Sequence, residues 1–480
     1  MTQWIRWTVV LAATGCITVV EKDSPKDTGS VTDVDADADA DADADSDTDT
    51  DADTDVPPDP DDDGDGFPLS QDCDDTNGAI NPDALEVCDA FDNNCDDLVD
   101  DGGAVTVSGV NYASIDEAIA ALGTAAATEG TLDVCAGTWT VTRLQFAGTL
   151  QTVTVRGVSG RDVTTLNETL GDAIATVENG ATVTFDGVTL SNSRAAALEL
   201  ENGSLTVKNS RVTANGQGIL VSAVDGTLAV DGTNIDGNDN GAGDGGGLGL
   251  FGTFAATITN SNISGNNAAN GGGFLAEQLF GIGSTVSLVT TTIDGNTAVD
   301  GGGLVLRNVA LTGDSASTVS NNVASEDGGG IALFRSPVTG LLVTTNTAGN
   351  GGGVAALYDV SFVGAPLAND LDAVLVDQNN ATIGGGLYIE NREQLHLLAT
   401  SAVTLNVAAD GAGGANLIGA TSQLVSDGAN FGVPGVSDNT PADVGTSQGV
   451  VAFESEAFTC TGGGGCAGGT TSTTTGDTGP

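Results

Sequence analysis

From residue 192 to residue 406 an asparagine returns along this chain like a rung. It stands at Asn192, Asn215, Asn238, Asn266, Asn296, Asn322, Asn346, Asn379 and Asn406, at intervals of 23, 23, 28, 30, 26, 24, 33 and 27 residues. Glycine triplets open at Gly271, Gly301, Gly351 and Gly384, five residues after an asparagine, and at Gly328, six after Asn322. Apolar segments follow them, as in Gly-Leu-Val-Leu at 303–306 and Gly-Leu-Tyr-Ile at 386–389. A strand, a tight turn and another strand on this period cannot bury an apolar face alone. Successive units must stack into a solenoid.

No LxxLxL frame is present, and the interval is too long for a nine-residue glycine–aspartate calcium roll. What fits is an all-β right-handed parallel β-helix. With ~4.8 Å per coil, about 12 coils would make a rod of roughly 60 Å. Inward Val, Leu and Ile would stack, glycine would supply turns at positive φ, and inward asparagines would satisfy turn backbone groups coil after coil. The 70 glycines among 480 residues, about twice the usual ~7%, thereby find a structural reason. Aromatic residues, at 4%, are too few for an ordinary globular core.

The start of the repeat region is legible too. Ser114-Ile-Asp-Glu117 reads as a capping box, and Ile115, Ile119 and Leu122 share one helical face. The spacing predicts a short helix plugging the open end of the solenoid. The following LDVCAGTWTV (132–141) resembles the first coil of pectin-lyase-like β-helices, and the asparagine and GGG[LIFV] repeats resemble those of polymorphic outer-membrane proteins. These resemblances are architectural and cover roughly residues 104–458. Such folds carry both enzymes and adhesins.

Charge divides the chain. The formal net charge is −54, from 66 acidic and 12 basic residues, and residues 21–101 hold 31 of the acids and two of the bases. This balance excludes a nucleic-acid or anionic-membrane binder, which needs clustered Lys and Arg. Residues 17–58, with Asp alternating with Ala, Ser, Thr or Val from Asp33 to Asp55, offer no apolar face and read as an extended, disordered linker of up to roughly 140 Å. Before it, residues 1–16 read as an export signal: Arg6, a short apolar run, then Ala13-Thr14-Gly15-Cys16, which resembles a bacterial lipobox with Cys16 as the lipidated residue. Ile17 after the cysteine implies sorting to the outer membrane. The expected place is therefore the bacterial cell surface, with a lipid anchor as the membrane contact.

Between linker and repeats, residues 59–103 form an Asp/Cys-rich module. Asp61, Asp63, Asp65, Gly66, Phe67 and Asp72 fall at positions 1, 3, 5, 6, 7 and 12 of a calcium loop, giving side-chain oxygens, the Phe67 carbonyl and a closing carboxylate around a hard cation. Asp at position 12 weakens such a loop, and no helical flanks are visible. Asp92, Asn94 and Asp96 with the Leu98 carbonyl form a second set, in which Asp97 stands where glycine is expected. The stretch resembles the MopE-type metal-binding motif, DxDGDG…DCDD…CD…DNNCD, with Ala90 and Asp97 replacing glycines. That name implies copper, but oxygen-rich ligands without His or Met favour calcium.

Six cysteines remain after Cys16. Cys460 and Cys466, enclosing Thr461 and four glycines, are a natural disulfide pair in a C-terminal segment, residues 459–480, that ends in a disordered tail. Cys73, Cys88, Cys95 and Cys135 allow three pairings.

No acid–base set is recognisable on the rod. His396, between leucines, reads as core or rim packing; Arg307 and Arg335 read as surface arginines lying near one another on adjacent coils. Asp244, Asp300 and Asp327, with Asn270 and Asn350, immediately precede glycine triplets and suit a turn, although in register Asp300 and Asp327 would stack and a shared cation would relieve them. The expected function is surface adhesion or structure toward a glycan or cell-surface ligand, with a displayed polysaccharide lyase or hydrolase as the rival. A groove gathering two carboxylates with an arginine would favour the rival; a smooth rod would favour adhesion.

Overall fold

The computed structural model describes residues 59–84, 86–89, 91–97, 99–100, 105–124, 129–147, 152–168, 170–279, 283–359, 368–432, 436–446, 449–450, 457–462 and 465–467. Cys16, the linker and the tail lie outside them. The fold is a parallel β-solenoid of about 11 turns, close to the number read from the repeats.

One coil shows the plan. Thr318–Ser320 leads through a corner at Asn322 to the short strand Val323–Ala324, and a glycine turn at 328–330 leads to Ile331–Phe334. A corner at Ser336 then feeds Val338–Thr344, which continues into the next coil. Each strand pairs in parallel with its counterpart one coil away, so like residues stack in rows. Leu248, Phe274, Leu304, Ile331, Val354, Leu387 and Ala415 form one inward row. Ile263, Ile293, Val319, Val343, Val376 and Val403 form another, and every one of these side chains is fully buried. At about 1.5–3 kcal/mol per buried Val, Leu, Ile or Phe, these rows are the main favourable contribution to stability.

The corner beside Asn322 explains why asparagine and glycine recur together. Asn296 donates both its backbone N–H and its Nδ2 to Asn322 Oδ1, each at 2.9 Å. Asn322 repeats the pattern toward Asn346 Oδ1 at 2.9 and 3.0 Å, and its Nδ2 also donates to the Ile293 carbonyl at 3.0 Å. The ladder runs unbroken through nine asparagines, Asn215, Asn238, Asn266, Asn296, Asn322, Asn346, Asn379, Asn406 and Asn439. The glycine turn of the preceding coil packs directly against this row. A Cβ on Gly303 would lie 3.0 Å from Asn322 Nδ2 and 2.8 Å from Val319, and one on Gly302 would lie 2.6 Å from the Gly329 and Val323 carbonyl oxygens. Gly301 has φ +62°, the left-handed turn that side chains resist. Two ends of the ladder differ from the sequence reading. Asn192 is exposed, and Ser193 donates its N–H to Asn215 Oδ1 in its place. Asn439 extends the ladder beyond Asn406.

A second ladder carries no rare residue and escaped the sequence reading. Val188 N–H donates to Ser210 Oγ, Ser210 N–H to Thr233 Oγ1 and Thr233 N–H to Ser261 Oγ, at 3.1–3.3 Å. Both ends of the solenoid are closed. The helix Ile115–Thr124 is capped by Ser114, whose Oγ accepts the Glu117 N–H at 3.2 Å, and it buries Ile115, Ala118 and Leu122. At the other end Ala457–Thr461 runs antiparallel to Gln423–Asp427, with Phe458 against Phe431 at 5.4 Å between ring centres. Strand edges that would otherwise template further pairing are thus covered. Cys460 is fully buried and disulfide-bonded, and lies opposite Cys466 in the antiparallel pair with Gly465–Ala467. The cysteine segment expected as a loop begins inside this closing strand.

The asparagine ladder terminates on a carboxyl, since Asn439 Nδ2 donates to Asp443 Oδ1 at 2.8 Å. Burial, aided by repulsion from Asp438, raises Asp443 to about 7.

Two outcomes are expected. Replacing Asn322 by Ala leaves both Asn296 donors and the Ile293 carbonyl without this partner and should cost roughly 3 kcal/mol or more in denaturant unfolding, whereas Asn192→Ala should stay within about 0.5 kcal/mol. Asp443 and Glu393 at about 7, and Asp327 at about 6, hold protons in the folded rod that the unfolded chain releases near its ordinary carboxyl pKa. Fewer protons are bound on unfolding, so stability should fall as pH rises from about 4 to 7 and level off above. Thermal midpoints at pH 5 and 8 check the sign, and Asp443→Asn should flatten the difference.

Candidate metal centre

The module at 59–101 has almost no regular structure and is built instead from aspartates accepting nearby backbone N–H groups. Asp61 accepts from Gly64 at 2.7 Å and Gly66 at 3.2 Å, Asp63 from Asp65 at 3.1 Å, and Asp65 from Phe67 at 2.9 Å. Gly66 has φ +106°, the sharp turn expected at position 6. This wrapping brings one carboxylate oxygen each from Asp61, Asp63 and Asp65 within 4.8 Å of one another. Asp72, at position 12, is 6% exposed and close enough for its charge to act on Asp63. The Asp63 carboxyl is raised above the usual range, first by desolvation and then by the charges of Asp65, Asp72 and Asp61.

Two atoms make the cluster more than an acidic surface. Asp63 Oδ2 and Asp72 Oδ2 are both buried and neither has a hydrogen-bond partner. A buried carboxylate oxygen left unpaired is costly, and like charges around it add to the cost. A hard cation held by Asp61, Asp63 and Asp65 would satisfy the Asp63 atom and offset the repulsion, whereas Asp72 converges with the Cys73 and Cys95 sulfurs and not with that trio. The donor set is oxygen only, so the residues fit such an ion.

The sequence reading missed three supporting residues. Asp75 is 6% exposed, accepts the Asp62 N–H at 3.3 Å and is raised by desolvation and by Asp62, Asp72 and Asp61. Asn81 Nδ2 donates to Asp65 Oδ2 at 2.7 Å, orienting that carboxylate. Glu86, 2% exposed, accepts the Asn94 N–H at 2.8 Å and the Asp100 N–H at 3.0 Å. A lone glutamate among aspartates was the available signal for it.

The second set folds into a related turn. Asp92 accepts the N–H groups of Asp96 at 3.2 Å and Asp97 at 2.8 Å, and Asn94 Oδ1 accepts from Asp96 at 3.1 Å. Asp97 takes φ +70°, so it adopts the left-handed turn in glycine's place. Asp92 and Asp96 do not join a third carboxylate in a convergent group among the described residues, and Leu98 lies outside those residues. Disulfides tie the pieces together. Cys73–Cys95 joins the residue after Asp72 to the residue between Asn94 and Asp96, and Cys88–Cys135 staples the module to the first coil. The sulfurs of Cys73 and Cys95 lie beside Asp72 but, being oxidised, are not thiolate ligands.

On the rod, His396 faces outward between flanking buried leucines, with Nε2 2.9 Å from Asp427 and Nδ1 3.4 Å from Asp370. It pairs with acids on the surface rather than packing in the core. Arg307 is in register with Phe334 and sits over its ring at 4.6 Å, so Arg335 lies one register position further on. The aspartates before the triplets do stack and are hydrogen-bonded between coils, while burial, with repulsion from Asp300, still raises Asp327 to about 6. Asn270 Nδ2 donates to Asp244 at 2.6 Å, the Asp327 N–H to Asp300 at 3.2 Å and Asn350 Nδ2 to Asp327 at 2.8 Å. A cavity of about 380 Å³ is lined by Arg335, Asn369, Asp370, Arg392, Glu393 and His396, so the rod does carry a groove with two carboxylates and an arginine.

Comparison with known families matches residues 72–101 to the Cu-binding MopE family, described as "Putative metal-binding motif". The match begins at Asp72, so the Asp61–Asp65 turn lies just upstream of it. No curated protein and no solved structure matches the chain.

Breaking the staple by replacing Cys88 and Cys135 with serine should detach the module's anchorage while leaving the rod folded. Limited proteolysis should then cleave within 59–101 several-fold faster, with the closed coils remaining intact.

Proposed function

We propose that this protein is a lipid-anchored bacterial cell-surface protein in which a calcium-stabilised module, stapled by a disulfide to a closed β-helix rod, carries that rod for adhesion or surface structure. The observation that carries the reading is the convergence of Asp61, Asp63 and Asp65 around a buried, unpartnered oxygen of Asp63, in a module joined through Cys73–Cys95 and Cys88–Cys135 to the first coil. The ligands would be Asp61, Asp63, Asp65, Asp72 and the Phe67 carbonyl. Carboxylate and carbonyl oxygens suit a large hard cation, whereas copper draws on imidazole and sulfur. The chain's one histidine is His396 on the rod, its one methionine is Met1, and the nearest cysteines are oxidised. The bound ion would add to the hydrogen bonds and disulfides that hold the module's loops and would offset the repulsion among Asp61, Asp63 and Asp65.

The anchor rests on the lipobox-like residues before Cys16. Among the described residues no helix is long and apolar enough to cross a membrane. The regular, capped rod suits contact with a glycan or cell-surface ligand along its length. A second reading, a displayed polysaccharide lyase or hydrolase, is favoured by the groove that joins Asp370 and Glu393 to Arg335 and Arg392.

Three measurements test these statements. Calcium titrated into the metal-free protein should bind and raise the module's resistance to protease, and Asp63→Asn or Asp72→Asn should weaken binding at least tenfold, about 1.4 kcal/mol. Tighter binding of copper than of calcium would overturn the calcium assignment. Cys16→Ala should move the protein from the membrane to the soluble fraction. Incubation with a polysaccharide panel should retain glycan without releasing unsaturated products or reducing ends; turnover would establish the second reading instead.

A further inference from the structure

The groove lies where three successive coils turn the same corner, and its floor is a short relay of polar groups. Ser336 donates its N–H to Asn369 Oδ1 at 3.0 Å, and Asn369 Nδ2 donates to Glu393 Oε2 at 3.1 Å. Asn369 is 3% exposed and Glu393 6%, so a carboxyl is held at the base of an open cavity of about 380 Å³, a size within the range of small-molecule sites. Gln394, Asp370 and His396 complete one wall, and His396 engages Asp370 at 3.4 Å.

The cations here are out of proportion to the chain. Two arginines and the sole histidine share one groove in a protein with 12 basic and 66 acidic residues. Arg392 is exposed and stacks on Tyr358, 5.3 Å from the ring centre, and makes no ion pair among the described residues. Arg335 acts electrostatically on Glu393 from the other side. Guanidinium groups suit planar oxyanions, and stacking on an aromatic ring leaves their edge donors available for hydrogen bonds.

We propose that this groove is a binding site for a small hydroxylated monocarboxylate, its carboxylate held by Arg392 and its hydroxyls by Gln394, Asp370 and Glu393. The proposal rests on the surface-binding reading of the rod and names a ligand class and a place for it. A single negative charge is what the site can accommodate. Asp370 and Glu393 line the groove with the arginines, Glu390 acts on Glu393 by charge, and together they oppose a dianionic phosphate, while the strongly negative chain repels polyanions over longer distances. Glu393 is raised to about 7, chiefly by desolvation and then by Glu390, against the opposing effects of Arg335 and Asn369. In its neutral form it donates a hydrogen bond to the ligand instead of repelling it.

Calorimetric titration of the full chain with D-glucuronate, D-glucose and inorganic phosphate tests the assignment. Glucuronate should bind, Arg392→Gln should weaken it at least tenfold, and Arg194→Gln, an exposed arginine elsewhere, should not. Absence of glucuronate binding would overturn the proposal, as would equal binding of glucose or tighter binding of phosphate. Retention of polysaccharide by the whole rod is measured separately. If retention persists in a protein that ignores glucuronate, the site assignment fails while the surface reading stands; if both are absent, the surface reading fails with it.

Discussion

Everything in the rod depends on keeping identical corners stacked at the spacing of a parallel sheet, and the buried asparagine ladder enforces this. Each interior asparagine, Asn322 for example, accepts two hydrogen bonds from the coil on one side and donates two to the coil on the other, while also reaching a carbonyl across the corner. Such a group is expensive to bury alone and satisfied only when the next coil places its own asparagine in the same position. The ladder therefore couples coils into one register. Loops can then lengthen elsewhere, as the spacings of 23 to 33 residues between rungs show, without disturbing the stack.

The glycine triplets serve the same constraint from the other side. They let one coil's backbone approach the next closely enough for the asparagine to reach it, and a methyl group there would collide with carbonyl oxygens or with the asparagine itself. Rigid corners in turn give fixed places to outward side chains. The row of Asp and Asn before the triplets, the acid-flanked His396 and the groove at Glu393 all inherit their geometry from that register.

The module follows opposite physics. It has little apolar surface, so it is held by carboxylates turned onto backbone N–H groups and by two disulfides, with like charges gathered where a cation would offset them. Its attachment through Cys88–Cys135 makes it part of the first coil.

The sequence by itself determined the solenoid, its period, the inward asparagines, the capping helix and the aspartate turn at 61–67. Each of these rests on local chemistry: a rare residue at a regular interval, a capping box, or ligand spacing within a dozen residues. Only tertiary structure decided the rest. Ser193 in place of Asn192, the Ser/Thr ladder, the pairing of four cysteines and the burial of Asp75 and Glu86 depend on which residues from distant coils or turns share a corner. Common residue types give no signal of that in a linear chain. The groove is the clearest case, because Arg335, Asn369 and Glu393 are brought together by register across three coils whose loops differ in length.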